Sequence, residues 1–237
     1  MQYRVFESEI RRIDDYTDRT RLAQGTALDV GAWWGPWMYW LSRRATRVVS
    51  VEPVPHVAEF LQRVAPSNAE VVHSAVSDHV GTTVLFLPDR GKGSEGYSTL
   101  EKDVAVDGAK PIEVPLTTID ELALTDLAFV KIDVEGHELP VLDGARETLT
   151  SQRPPVLIEV EARGSVDVDA VFDRLRSYGY DGWFHFEKAW RPLSEFDLER
   201  HQLAAQESVR SRGFVGNLLH GTSNYVHNFL FSTTPPR

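Results

Sequence analysis

The stretch Ala27-Leu28-Asp29-Val30-Gly31-Ala32-Trp33-Trp34-Gly35 is an apolar run that ends in an acid and two spaced glycines ahead of a helical pattern. Such a run predicts a strand, a tight turn and a helix, with Gly31 and Gly35 letting backbone approach a ligand closely. The next apolar run, Val48-Val49-Ser50-Val51, ends in Glu52, about 20 residues past the glycine turn, where an acid can take both hydroxyls of a ribose. Together the two runs predict an adenosine-containing cofactor.

The spacing is not the Gly-x-Gly-x-x-Gly of a nicotinamide or flavin site, where a pyrophosphate rests on the helix N-terminus and a nearby acid would repel it. Asp29 stands at the turn itself, and an acid there suits the sulfonium and ammonium of S-adenosylmethionine. A nicotinamide-dependent oxidoreductase is the competing enzyme reading, and a catalytically silent domain of the same fold is the competing non-enzyme reading. The missing third glycine weighs against the first, and retention of Asp29, Gly31, Gly35 and Glu52 against the second.

The chain has 237 residues with 25 Lys and Arg against 35 Asp and Glu, a formal charge of −10 and no cysteine. A chain this long can bury a sizeable core, and the domain expectation is one unit over 1–237. The negative charge and the absence of a basic run argue against a nucleic-acid partner. Disulfides and thiolate metal sites are excluded. With neither a signal-peptide pattern nor a long apolar run, the expectation is a cytoplasmic protein without membrane insertion. A homo-oligomer is compatible with this composition.

Apolar residues at helical spacing before residue 25 predict an N-terminal helix. Strands are predicted at 27–30, 48–51, 70–73, 128–132, 156–161 and 182–186, and helices at 37–44, 57–64, 139–149 and 168–177. The fold class is therefore α/β, a Rossmann-like sheet with helices on both faces. Residues 82–116 read as an inserted strand pair around a glycine-rich loop. Residues 188–224, with a helix at 195–210, read as a substrate-side segment. The chain closes on an alternating, aromatic-rich strand at 225–231.

The densest candidate for chemistry is Lys131-Ile132-Asp133-Val134-Glu135-Gly136-His137-Glu138, which leaves a buried strand at the cofactor end of the sheet. Asp133, Glu135 and His137 are the catalytic candidates, with Asp133 also facing the cofactor. Alternation in Ile158-Glu159-Val160-Glu161 sends both glutamates to one face, about 4.8 Å across from Asp133. Like charges that close need a cation, a proton or a hydrogen-bond donor. Two readings stay open: Mg²⁺ or Mn²⁺ held by Asp133, Glu159 and Glu161, or pairing with Lys131 or Arg163. Trp34, Trp183 and Trp190 are candidates for an aromatic face over a sugar.

With these residues the chain resembles the FkbM-type family of S-adenosylmethionine-dependent methyltransferases. The run from Lys131 to Glu138, followed by Val141-Leu142-Asp143-Gly144-Ala145, is similar to that family's Lys-Ile-Asp-Val-Glu-Gly-x-Glu signature and the helix after it. Asp29-Val30-Gly31-Ala32, Val51-Glu52-Pro53, Ala75-Val76-Ser77 and Leu116-Thr117-Thr118-Ile119-Asp120 fall in the family's order. Trp33 stands where the family commonly has Asn, and His137 falls on the signature's variable position. The resemblance implies a seven-stranded methyltransferase sheet with an antiparallel last strand. It also implies a cofactor set of Asp29, Gly31, Gly35, Glu52, Ser74, Ala75 and Asp133. The implied reaction is O-methylation of a sugar, glycoside or glycolipid, or of a polyketide or other small-molecule hydroxyl.

Overall fold

The computed structural model describes residues 19–89, 94–205 and 225–236. Its strands are β1 (Thr26–Val30), β2 (Arg47–Val51), β3 (Ala69–Val72), β4 (Ala75–Val76), β5 (Gly81–Leu87), β6 (Lys110–Thr117), β7 (Leu127–Ile132), β8 (Val156–Glu159), β9 (Asp181–Phe186), β10 (Ala189–Pro192) and β11 (Asn228–Ser232). Its α-helices are α1 (Arg19–Leu22), α2 (Pro36–Ser42), α3 (Pro55–Val64), α4 (Glu138–Asp143), α5 (Arg146–Gln152) and α6 (Val168–Ser177). The main sheet runs β10-β9-β11-β8-β7-β1-β2-β3. Every residue of β1 and β7 is buried, because parallel strands at the centre of such a sheet are covered on both faces. One face packs on α2 and α3 through Trp37, Leu41, Val57 and Leu61. The other packs on α4, α5 and α6 through Val141, Leu149 and Phe172.

β1 pairs in parallel with β2 on one side and β7 on the other. The strand order therefore reverses between β1 and β7, and ligands of such sheets bind beyond the strand ends at that point. β11 lies antiparallel between β8 and β9, as the family resemblance implies for the last strand.

The sheet has eight strands rather than seven. The extra one, β10, folds back on β9 through Glu187 and Lys188, both left-handed at φ 49° and 65°, the geometry of a two-residue hairpin turn. The helix expected over 139–149 is two helices. A Cβ on Gly144 would lie 2.0 Å from the Ser77 carbonyl oxygen, so the chain must shed a side chain and turn where it crosses β4. Asp120 then caps α5, accepting from Glu147 N at 3.1 Å and Thr148 N at 2.8 Å. The inserted strands form a second sheet, β4-β6-β5. In place of the helix expected at 195–210, the described part holds a 3₁₀ turn at Leu193–Glu195 and a π turn at Glu199–Leu203. Of the N-terminal helix, only Arg19–Leu22 falls within the described residues.

Candidate active site

The ends of β1, β2, β7 and β8 surround a cavity of about 470 Å³, a size suited to a cofactor-scale ligand. Gly31, at φ 81°, forms part of its wall, and a Cβ there would lie 1.8 Å from the Asp133 carbonyl oxygen. The glycine is thus needed for β1 and β7 to come together at their ends, before any ligand enters. Gly35 does not line the cavity; it is the left-handed residue that starts α2, facing Leu61 and Met38.

Glu52 lines the cavity and is 4 % exposed. Its carboxylate accepts from Trp33 N and Val54 N, each at 2.8 Å. The first of those bonds holds Trp33 left-handed at φ 47°, a conformation in which Asn is the favoured non-glycine residue. That accounts for the support that Trp33 requires. Burial pushes the Glu52 carboxyl up to about 8, against the two amide bonds that favour its charge. Ser74 and Ala75 line the same end of the cavity.

Asp29 does not line the cavity. It is fully buried in β1, with Ser50 Oγ 3.4 Å from Oδ2. Burial raises it to about 7, against the Lys131 charge.

At the other end, the acids are held by two cations. Lys131 is 2 % exposed, and its Nζ lies 3.2 Å from Asn228 Oδ1, 3.6 Å from Asp133 Oδ2 and 4.0 Å from Glu159 Oε2. Arg163 bridges Glu135, at 2.6 Å, and Glu161, and Tyr225 donates to Glu161 at 2.6 Å. The divalent-ion reading is corrected here. Among the described residues no group of three acids or histidines has metal-holding geometry, and Asp133, Glu159 and Glu161 meet Lys131 and Arg163 instead. An ammonium and a guanidinium supply the charge compensation that the clustered carboxylates require.

Glu135 lines the cavity in a left-handed conformation, φ 52°. Burial raises its carboxyl well above the ordinary value, helped by Asp133 and opposed by Arg163. A raised carboxyl on a strained backbone is a feature of catalytic bases. His137 also lines the cavity, but both ring nitrogens are engaged, Nε2 with Ser77 Oγ at 2.8 Å and Nδ1 with Glu101 Oε1 at 2.6 Å. Glu138 is buried, bonds Gly136 N at 2.8 Å and is pushed up to about 7 by burial.

The expected tryptophans stand elsewhere. Trp34 packs edge-on against Phe60, and Trp190 against His185; neither these nor Trp183 lines the cavity, whose aromatic groups include Trp33, Tyr97 and the stacked pair Tyr225 and His227. Sequence reading did not find Thr99 or Glu101, which reach the site from the inserted region and carry no local signature, and it found Ser77 only as part of the Ala75-Val76-Ser77 run and not as a partner of His137. Arg163 was visible only as a counter-ion.

The residues fit an S-adenosyl cofactor. Of the roughly four acceptor positions on a carboxylate, the backbone occupies two on Glu52, which leaves acceptors for a ribose. The remaining lining is rich in acid, with Glu95, Asp133, Glu159 and Glu161 against Arg163, and favours a cation over a pyrophosphate.

A family model described as the methyltransferase FkbM domain matches residues 28–181. Among solved structures, a methyltransferase FkbM from Methylobacillus flagellatus KT is similar with a TM-score of 0.53 at 16 % identity, over 88 % of this chain and 43 % of that one. The chain thus spans less than half the length of that relative. A precorrin-6y C5,15-methyltransferase from Geobacter metallireducens GS-15 gives 0.44 at 12 % identity, over 94 % and 87 % of the two chains. A TehB-like SAM-dependent methyltransferase from Corynebacterium glutamicum gives 0.41 at 16 %, over 75 % and 74 %. At these identities the likeness to the first speaks for the fold alone. No curated protein matches the chain in sequence.

Proposed function

The chain belongs to the FkbM methyltransferase family, and on that premise we propose that it is an S-adenosylmethionine-dependent O-methyltransferase acting on a hydroxyl of a sugar, glycoside or glycolipid. The observation that carries the reading is one cavity with a buried ribose-type acid, Glu52, at one end and the Glu135–Arg163–Glu161–Tyr225 cluster at the other.

When bound, the cofactor supplies an electrophilic methyl group on a sulfonium. The proposed holding residues are Glu52 for the ribose, with Gly31, Ser74, Ala75 and Asp133 lining the rest of that end. Asp29, buried in β1 and outside the cavity lining, acts on the cofactor at a distance and only when ionised. At the acceptor end Glu135 takes the hydroxyl proton as the new bond forms, since a sugar hydroxyl is too weak an acid to lose it unaided. Arg163 anchors the Glu135 carboxylate and limits its rotation, which matters because much of the acceleration comes from holding the acceptor oxygen in line. His137, with both nitrogens engaged, supports the turn. Glu161 accepts hydroxyls, and the Tyr225 and His227 rings cover apolar C–H faces, the usual division of labour at a sugar site.

The test incubates the protein and methyl-labelled S-adenosylmethionine with mono- and oligosaccharides, glycolipids, polyketide alcohols, catechols and small RNAs. Label on a carbohydrate hydroxyl is the expected result. Label confined to catechols or RNA contradicts the acceptor class.

A further inference from the structure

Glu135 and Gly136 are consecutive left-handed residues, φ 52° and 100°, and glycine alone of the two takes that conformation without strain. The contacts that hold them come from the inserted region. Thr99 Oγ1 donates a 2.6 Å hydrogen bond to the Glu135 carbonyl and accepts one of 3.0 Å from Glu101 N. Thr99 is 1 % exposed and is fixed in turn by a bridge to Phe86 on β5. Val104 closes the other side: a Cβ on Gly136 would lie 3.1 Å from Val104 Cγ2, and one on Gly164 2.8 Å.

We infer that Thr99 is a positioning residue, whose hydroxyl fixes the left-handed Glu135 peptide and so directs the Glu135 carboxylate into the cavity against Arg163. The inference deepens the proposed function, on which Glu135 is the proton acceptor. It needs a hydroxyl in particular. Valine has the same shape but leaves a carbonyl and an amide without their buried partner. Freed of that bond, Glu135 relaxes toward ordinary backbone geometry, and its carboxylate leaves the space it shares with Asp133, Glu159, Glu161 and Arg163.

The experiment follows the Glu135 side-chain carboxyl by NMR in protein carrying ¹³C-labelled glutamate, with Glu135→Gln identifying the signal. In the unaltered protein it titrates well above the ordinary glutamate range. Thr99→Val lowers the midpoint toward that range by about one unit or more, and Thr99→Ser, which keeps the hydroxyl, restores it. Val104→Ala loosens the same turn without touching a hydrogen bond; it moves the midpoint the same way and decides the matter if Thr99→Val does not fold. An unchanged midpoint in a folded Thr99→Val, or in Val104→Ala where that variant decides, overturns the inference.

Methyl transfer by the same proteins separates the two claims. Unaltered protein that neither binds S-adenosylhomocysteine nor transfers methyl overturns the proposed function, while the titration still judges Thr99. With an active enzyme, Thr99→Val is expected to lower kcat by about 10²-fold, with the KM for S-adenosylmethionine within about twofold. It should cost nothing further in a Glu135→Gln background. Losses that add in the double variant overturn the positioning role alone.

Discussion

Glu135 is an acid held where a glycine would sit more easily, and the strain is balanced by Thr99, Val104 and Arg163. If it accepts the proton, Glu135→Gln keeps the shape and removes the base, so kcat should fall by about 10²–10⁴-fold with S-adenosylhomocysteine affinity nearly unchanged. Steady-state kinetics and calorimetry on the one variant check both halves. The base must be ionised to act, and its carboxyl is raised; kcat/KM should therefore rise with pH through a midpoint above the ordinary carboxylate value of 4.5. A profile already flat at that value contradicts the assignment. Asp133 and Glu135 were legible as site candidates because they stand in one acidic run at a strand end. The state of His137 was not, because its partners Ser77 and Glu101 lie 60 and 36 residues away and only the fold brings them together.

The strand-turn units were readable as elements because central parallel strands are short, mostly apolar runs and their glycine turns are local. The breaks were not. Gly144 ends α4 because the Ser77 backbone passes it, and the β9–β10 hairpin turns at Glu187 and Lys188, without the Asn-Gly that would announce it. Two glycines separate steric from conformational need. Gly144 has an ordinary φ of −78° but no room for a Cβ, so Gly144→Ala should lose about 1–3 kcal/mol by overpacking. Gly108 has open space but φ 79°, so Gly108→Ala should lose only the backbone strain of about 1–2 kcal/mol. Replacing Gly108 by Asn, which tolerates that conformation, should recover much of its loss, whereas Gly144→Asn should be worse than Gly144→Ala. Urea unfolding of the four variants gives the comparison.

For the molecule as a whole, four buried acids sit above their usual values: Asp29 near 7, Glu52 near 8, Glu138 near 7 and Glu135 well above its ordinary value. Between about pH 4 and 8 the folded chain thus binds more protons than the unfolded one, and stability falls as pH rises. His201, lowered by burial, pulls the other way near its ordinary value but is one group against four. The unfolding temperature of the ligand-free protein should therefore be higher near pH 5 than near pH 8, and Asp29→Asn should flatten the slope. A rise over that interval contradicts the buried-acid account. The central claim is that this cavity holds an S-adenosyl cofactor with Glu52 on its ribose, and calorimetric titration with S-adenosylhomocysteine tests it most directly. One molecule should bind per chain, NAD should not, and Glu52→Ala should weaken binding by about 1–3 kcal/mol, roughly 5- to 150-fold. No heat from S-adenosylhomocysteine, or equal affinity in a folded Glu52→Ala variant, would contradict it.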